Sequence, residues 1–317
     1  MKVLIIRFSS IGDIVLTTPV VRCLHEQVPG VEIHYLTKSS YASLLSSNTR
    51  LSKIWSFSGD LKSLITQLKN ENFDHIIDLH NNLRSKRVGM ALRVTTKRVN
   101  KLNWEKWWMV RTGKNLLPDV HIVDRYLEAA NHLNVVNDHK GLEFTIPETI
   151  NIPIDLPSEY VCYAIGGQHA TKKMPTNKIV DMCNEIKSSI VLIGGKEDID
   201  AGDQVANTCK NVLNYCGKLS INESAKVMDQ SKLVITHDTG MMHIAAALKK
   251  RIISIWGNTI PEFGMYPYQP DAASAQFEVK DLSCRPCSKI GFDKCPKGHF
   301  KCMNNQNTSE IAKRCNL

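Results

Sequence analysis

The chain has 317 residues, of which 43% are hydrophobic and 22% charged, and a formal net charge of +9. That length exceeds what one core usually holds and predicts two domains of roughly 150 residues each, in an ordinary soluble globular composition that excludes a disordered protein. The opening MKVLIIRFSS has four apolar residues between Lys2 and Arg7, too few for a signal-peptide core, and no later run approaches ~18 apolar residues, so the expectation is a cytoplasmic protein whose ten cysteines are thiols or metal ligands.

In chain order, β-rich apolar runs at 2–8, 31–37, 53–57 and 73–79 alternate with helical patterns near 13–27, 39–47 and 60–70. Strands separated by helix-length segments predict a parallel sheet with crossover helices. From 84 to 114 ten basic residues stand against one acid, Glu105, which implies an anionic partner. Trp104, Trp107 and Trp108 interleave with those charges, a combination that suits an anionic membrane surface or a phosphorylated lipid-linked glycan. The competing reading puts the tryptophans in the core and leaves the charges solvated. No nucleic-acid reader motif accompanies the charge, so no nucleic-acid partner is expected. Pro147, Pro153 and Pro157 mark 146–158 as a linker. Beyond it, strands are predicted at 160–165, 190–193, 212–215, 233–236 and 252–256. The domains are therefore drawn at 1–150 and 156–317, with the last helix a candidate to pack back on the first domain. Two such halves would put a central cleft between the carboxyl ends of two parallel sheets.

Three strand-to-helix turns can carry chemistry. In the first, Arg7-Phe8-Ser9-Ser10-Ile11-Gly12-Asp13, Gly12 permits a tight turn and Ser10 offers a hydroxyl. Asp13, ionised beside a helix N-terminus, is a candidate base. The plainer reading is that Asp13 only caps its helix. The second turn is Thr236-His237-Asp238-Thr239-Gly240-Met241-Met242-His243. Gly240 and the first-turn N–H groups suit a diphosphate, and His243 adds a donor; a capped helix with a buried histidine is the alternative. The third runs Gly166-Gly167-Gln168-His169-Ala170-Thr171-Lys172-Lys173, where a lysine can offset the charge on a departing nucleotide. Gly194-Gly195-Lys196-Glu197-Asp198 repeats the form, with Glu197 or Asp198 suited to a ribose hydroxyl or an adenine amino group. Neither the dinucleotide fingerprint nor the Walker lysine pattern is present, which argues against a nicotinamide dehydrogenase.

Together these segments resemble the ADP-heptose:lipopolysaccharide heptosyltransferases, glycosyltransferase family 9. The pattern R-x-S-S-I-G-D-x-x-x-T-x-P is matched at residues 7–19 and D-T-G-x-M-H-x-A-A-A-L at 238–248, followed by Trp256-Gly257-Asn258-Thr259 where the family usually has F-G-x-T. Asp78, Ser85 and His121-Ile122-Val123-Asp124-Arg125 are similar to family positions as well. Met174 stands where the family often has tryptophan.

The resemblance implies an α/β protein of the GT-B type, an acceptor-binding first domain and a nucleotide-sugar-binding second one. It implies inversion at the anomeric carbon without a metal or other cofactor, with an ADP-sugar as donor and an inner-core lipopolysaccharide or other anionic glycolipid as acceptor. Asp13 would be the base and Lys172 the diphosphate-stabilising cation. Ser10, Gly12, Glu197, Asp238, Thr239, Gly240, Met241 and His243 would serve the donor, and His121, Arg125 and Arg84 the acceptor. Such an enzyme would sit peripherally on the cytoplasmic face of the inner membrane. The rival readings are a sugar-nucleotide epimerase of the same fold and a non-catalytic glycolipid-binding protein.

Near the end, Cys284, Cys287, Cys295 and Cys302 follow a 2–7–6 spacing with His299 close by. A tetrahedral zinc site is compatible with that spacing, but the second pair lacks the tight knuckle of most structural sites. Buried free thiols or occasional disulfides are the favoured reading, and no metal is assigned.

Overall fold

The computed structural model describes residues 1–316. By contacts the chain divides into two units. One comprises Met1–Lys101 with Val120–Thr145, the other Leu102–Asp119 with Ile146–Leu317.

The first unit holds β1 (Lys2–Ile6), α1 (Ile11–Val15), α2 (Thr18–Gln27), β2 (Glu32–Lys38), β3 (Lys53–Phe57), α3 (Leu61–Lys69), β4 (His75–Asp78), α4 (Leu83–Leu92) and β5 (Thr95–Arg98). Its next helix in the chain, α5 (Asn103–Thr112), belongs by contacts to the second unit, and α6 (Ile122–Glu128) returns to the first. The strands pair in parallel in the order β3-β2-β1-β4-β5. Val3, Leu4, Ile5 and Ile6 are fully buried, as a central strand covered on both faces requires.

The second unit continues with β6 (Tyr160–Ala164), α7 (Thr176–Glu185), β7 (Ser189–Ile193), α8 (Ile199–Thr208), β8 (Val212–Asn214), α9 (Ile221–Gln230), β9 (Leu233–His237), α10 (Gly240–Ala247), β10 (Ile252–Trp256), β11 (Ala275–Glu278), α11 (Lys301–Asn304) and α12 (Thr308–Cys315). Its parallel sheet runs β11-β10-β9-β6-β7-β8. The last helix, α12, lies on α7, where Asn316 Nδ2 donates to the Glu185 carbonyl at 3.0 Å.

Every predicted strand is present. The helix predicted near 13–27 is broken into α1 and α2 because Pro19 has no N–H and fits only a first turn. The segment predicted near 39–47 is a 3₁₀ turn, Ser39–Leu44. Strands β5 and β11 were not predicted. Both are four-residue edge strands: TTKR has no apolar residue, and AQFE alternates through Ala275 and Phe277 over too short a run to stand out. The proline-rich segment 146–158 has no helix or strand.

Candidate functional site

Each sheet has a point where strand order reverses, between β1 and β4 in the first unit and between β6 and β9 in the second. Loops leaving the carboxyl ends of such a pair diverge and form the crevice where open α/β sheets take ligands. The candidate catalytic residues fall at these two points.

At the first, Arg7 leaves β1 with its side chain almost fully buried. Its Nη2 lies 2.6 Å from Asp13 Oδ1, while Nη1 donates to the Leu79 carbonyl beyond β4 at 2.6 Å and Nε to the Ser9 carbonyl at 2.8 Å. Ser10 is the N-cap of α1, and both its backbone N–H (3.1 Å) and its hydroxyl (2.8 Å) donate to Asp13 Oδ2. Burial pushes the Asp13 carboxyl up, but Arg7 and the two Ser10 bonds outweigh it and hold it at about 2. Asp13 therefore both caps its helix and remains a carboxylate at neutral pH, with an arginine ahead of the helix dipole as the cause. Gly12 is buried within α1. Asp78, fully buried at the end of β4, accepts from His80 N, Asn81 N and the Ser85 hydroxyl, so this pair of family-like residues fastens β4 to α4.

At the second, Lys172 Nζ lies 2.7 Å from Asp238 Oδ2, and the Thr259 hydroxyl donates to the same oxygen at 2.7 Å. Burial pushes the Asp238 carboxyl up; Lys172, Thr259 and His243 more than offset this and hold it below its usual value. Thr239 is the N-cap of α10, and its buried hydroxyl oxygen makes no hydrogen bond within the protein. Gly240 and Met241, both half-buried, open the helix, and His243 is buried one turn in. Lys173 turns the other way, to Asp198 Oδ1 at 2.9 Å, while Asp198 Oδ2 accepts from Gly195 N at 2.9 Å. Lys172 thus joins the α10 cradle, whereas Lys173 braces the β7 turn. That turn is tight: a Cβ on Gly166 would meet Asp198 Oδ2 at 2.6 Å. Asp198 is buried and committed, which leaves Glu197, exposed on the same turn, as the carboxylate open to a nucleoside.

The remaining candidates are more buried than their acceptor role suggests. His121 caps α6, its Nδ1 accepting from Val123 N at 3.2 Å, and Arg125 reaches the Asn100 carbonyl at 3.5 Å; both are about 3% exposed. Arg84 is half-exposed, with its guanidinium above the rings of Phe8 and Phe57 at 5.4 and 4.8 Å. It borders a shallow cleft of about 410 Å³ with Leu61, Asn82, Leu83 and Arg87.

Sequence reasoning named Arg7 and Thr259 only as motif letters and gave His237 no task. His237 accepts at Nε2 from the Met174 backbone N–H and the Tyr163 hydroxyl, each at 3.1 Å, and burial drives its ring down to about 3, so it is neutral. A charged residue directly after a fully apolar strand, as at Arg7, was the signal available.

Two Rossmann-like units with polar residues gathered at both strand-order reversals define an α/β protein of the GT-B type. The chain belongs to glycosyltransferase family 9 (heptosyltransferase), whose model matches residues 61–292. It is 24% identical over 278 residues to lipopolysaccharide heptosyltransferase 3 of Escherichia coli, covering 78% of this chain and 80% of that one. Among solved structures it is similar to a family 9 glycosyl transferase from Veillonella parvula, with a TM-score of 0.78 at 17% identity, covering 99% of this chain and 95% of that one. It is also similar to an E. coli heptosyltransferase solved with ADP-2-deoxy-2-fluoro heptose, with a TM-score of 0.64 at 20% identity, covering 82% and 90%.

Proposed function

We propose that this enzyme transfers a heptose, or a related sugar, from an ADP-sugar to an inner-core lipopolysaccharide or another anionic glycolipid, with inversion at the anomeric carbon. The observation that carries the reading is the Lys172–Asp238–Thr259 chain at the head of α10, beside the unpartnered Thr239 hydroxyl. A diphosphate leaving group develops negative charge as its bond to the sugar breaks, and preorganised donors at that position stabilise it.

In the reaction, the acceptor hydroxyl oxygen bonds to the anomeric carbon from the face opposite the diphosphate. The hydroxyl proton passes to Asp13, and ADP departs with the electron pair of the broken bond. Lys172, the Gly240 and Met241 N–H groups, Thr239 and His243 hold the diphosphate, and Asp238 keeps the Lys172 ammonium aimed. Glu197 takes the nucleoside. The first unit serves the acceptor, with half-exposed Arg84 as its cation and buried His121 and Arg125 beneath the surface. Lys172 and the α10 N–H groups meet the charge on the departing diphosphate, and turnover without added Mg²⁺ or Mn²⁺ is the expected outcome.

The same proposal places the enzyme peripherally on the cytoplasmic face of a membrane. No helix among the described residues is long and apolar enough to cross one. Two basic surfaces carry exposed apolar side chains: α4 with Leu83 and Met90 beside Lys86 and Arg87, and α5 with Trp104 and Trp107, which are 58% and 55% exposed. Such rings and chains enter the headgroup layer while neighbouring cations meet anionic lipid.

The test is acceptor-dependent release of ADP from ADP-heptose, with UDP- and GDP-sugars as comparators. Release only with the ADP-sugar and acceptor together is the expected result. Sugar isomerisation without acceptor, or preference for a uridine or guanosine donor, would overturn the assignment.

A further inference from the structure

His80 stands two residues beyond the end of β4, at the strand-order reversal that holds Asp13, and has no task in the transfer described above. The turn around it fixes its backbone. The pairing of Ile6 with Asp78 continues past both strands, with Leu79 N donating to the Ile6 carbonyl at 3.1 Å. Arg7 Nη1 holds the Leu79 carbonyl at 2.6 Å, and Asp78 Oδ1 accepts from His80 N at 3.1 Å and from Asn81 N at 2.7 Å. Asn81 takes φ +42°, a left-handed conformation that asparagine tolerates, and its Nδ2 donates to the Val99 carbonyl at 2.9 Å. His80 is thereby set beside Phe8, the corresponding residue beyond β1. Their rings meet edge to face, with centroids 5.4 Å apart and planes at 89°. The Arg84 guanidinium lies 5.4 Å from the centre of the same Phe8 ring, so Phe8 seats His80 and Arg84 together.

The His80 ring is half-buried, and its two nitrogens differ. Nδ1 is buried without a hydrogen-bond partner. A buried bare lone pair is a cheaper orphan than a buried N–H, so the proton belongs on Nε2, the nitrogen that the half-buried ring has left to present. Burial first, then Arg7 and Lys101, push the imidazole down to about 3; Arg84 adds to this and Asp13 opposes it. Groups of both signs from the β1 exit, α1, α4 and the segment after β5 therefore act on this ring, and at neutral pH it is an uncharged N–H donor among them.

We propose that His80 is a further acceptor-binding residue, its Nε2–H donating to an oxygen of the sugar whose hydroxyl Asp13 deprotonates. The inference rests on the assignment of the first unit to the acceptor. A sugar presents several oxygens, and a base acts on one of them efficiently only when the others are held in register. The other polar groups around Asp13 are already committed: Arg7 to Asp13 and two carbonyls, Ser10 to Asp13. Asp13 can accept a hydrogen bond from the sugar but cannot donate one. His80 supplies the donor. Because it is neutral, it leaves Asp13 its basicity, which a further cation at that place would lower. Arg84, on the far side of Phe8, meets negative charge on the same acceptor.

The test is steady-state kinetics of the full chain with ADP-heptose and heptose-free lipopolysaccharide. His80→Phe keeps a ring against Phe8 and puts carbon where Nδ1 has no partner, so the fold should persist. Its acceptor KM should rise about tenfold, with the ADP-heptose KM and the melting temperature unchanged. His80→Gln carries an amide N–H at about the reach of Nε2 and should recover most of the loss. An unchanged acceptor KM in His80→Phe, an equal rise in the ADP-heptose KM, or a His80→Gln variant as impaired as His80→Phe would each overturn the proposal. If His80→Phe does not fold, His80→Ala against His80→Gln decides by the same comparison. Asp13→Asn is run alongside. Should it keep full turnover, the catalytic reading of the site fails; should it lose turnover while the His80 variants keep their acceptor KM, the inference about His80 fails alone.

Discussion

The two strand-order reversals use the same parts for opposite ends. In each, a cation after the unit's first strand meets an aspartate at or just before a helix start, Arg7 with Asp13 and Lys172 with Asp238. Arg7 is buried and spends its fork on Asp13 and two carbonyls, so it is fixed scaffolding that presents a carboxylate. Lys172 has a compact ammonium, is more exposed, and makes one bond to an aspartate that Thr259 also satisfies. It can trade that bond for a phosphate oxygen. The first reversal is built to offer an anion and the second to offer a cation, and the difference follows from arginine against lysine.

The sharpest way to break that contrast is Asp13→Asn, which keeps the shape and removes the base. Turnover should fall by about 10²–10⁴ with donor affinity unchanged, read by steady-state kinetics and calorimetry. Lys172→Ala should cost about 10²–10³ in turnover, and some stability as well because it strands buried Asp238. Lys173→Ala strands buried Asp198; it is expected to lower stability by about 2 kcal/mol in denaturant titration and barely touch turnover. Thr259→Val should lower kcat/KM roughly tenfold by loosening Asp238.

A pH profile sharpens the first unit. Asp13 is held at about 2, so it stays ionised down to that value. The stability it lends is complete above the unfolded carboxylate value and is lost as pH falls through about 2. Arg7→Gln removes the cation and leaves burial opposed only by the two Ser10 bonds. The acid limb of kcat/KM should then rise to above about pH 4, whereas an unmoved limb would deny Arg7 its part. The smallest effect is expected at the surface: Trp104→Ala with Trp107→Ala should weaken pelleting with anionic vesicles roughly fivefold, and leave neutral vesicles unaffected.

The central strands and the turns after them were legible because buried parallel strands are continuous apolar runs, and because Gly12, Gly166, Gly194 and Gly240 punctuate their ends. Strands β5 and β11 were not: TTKR carries no apolar residue, and the Ala275–Phe277 alternation of AQFE is only four residues long. Direction within a pair was also hidden: adjacent lysines at 172 and 173 read alike, and only the placement of Asp238 and Asp198 separates them. His121 and Arg125 read as surface contacts because a motif gives identity without burial. The basic run at 84–114 read as one feature, yet the fold assigns α4 and α5 to different units.

Hydrogen exchange of the full chain with and without ADP tests the division of labour most directly. Protection is predicted at 166–173 and 238–243, with the Arg7–Asp13 turn unchanged. Protection confined to the first unit, or absent from the start of α10 at saturating ADP, would contradict it.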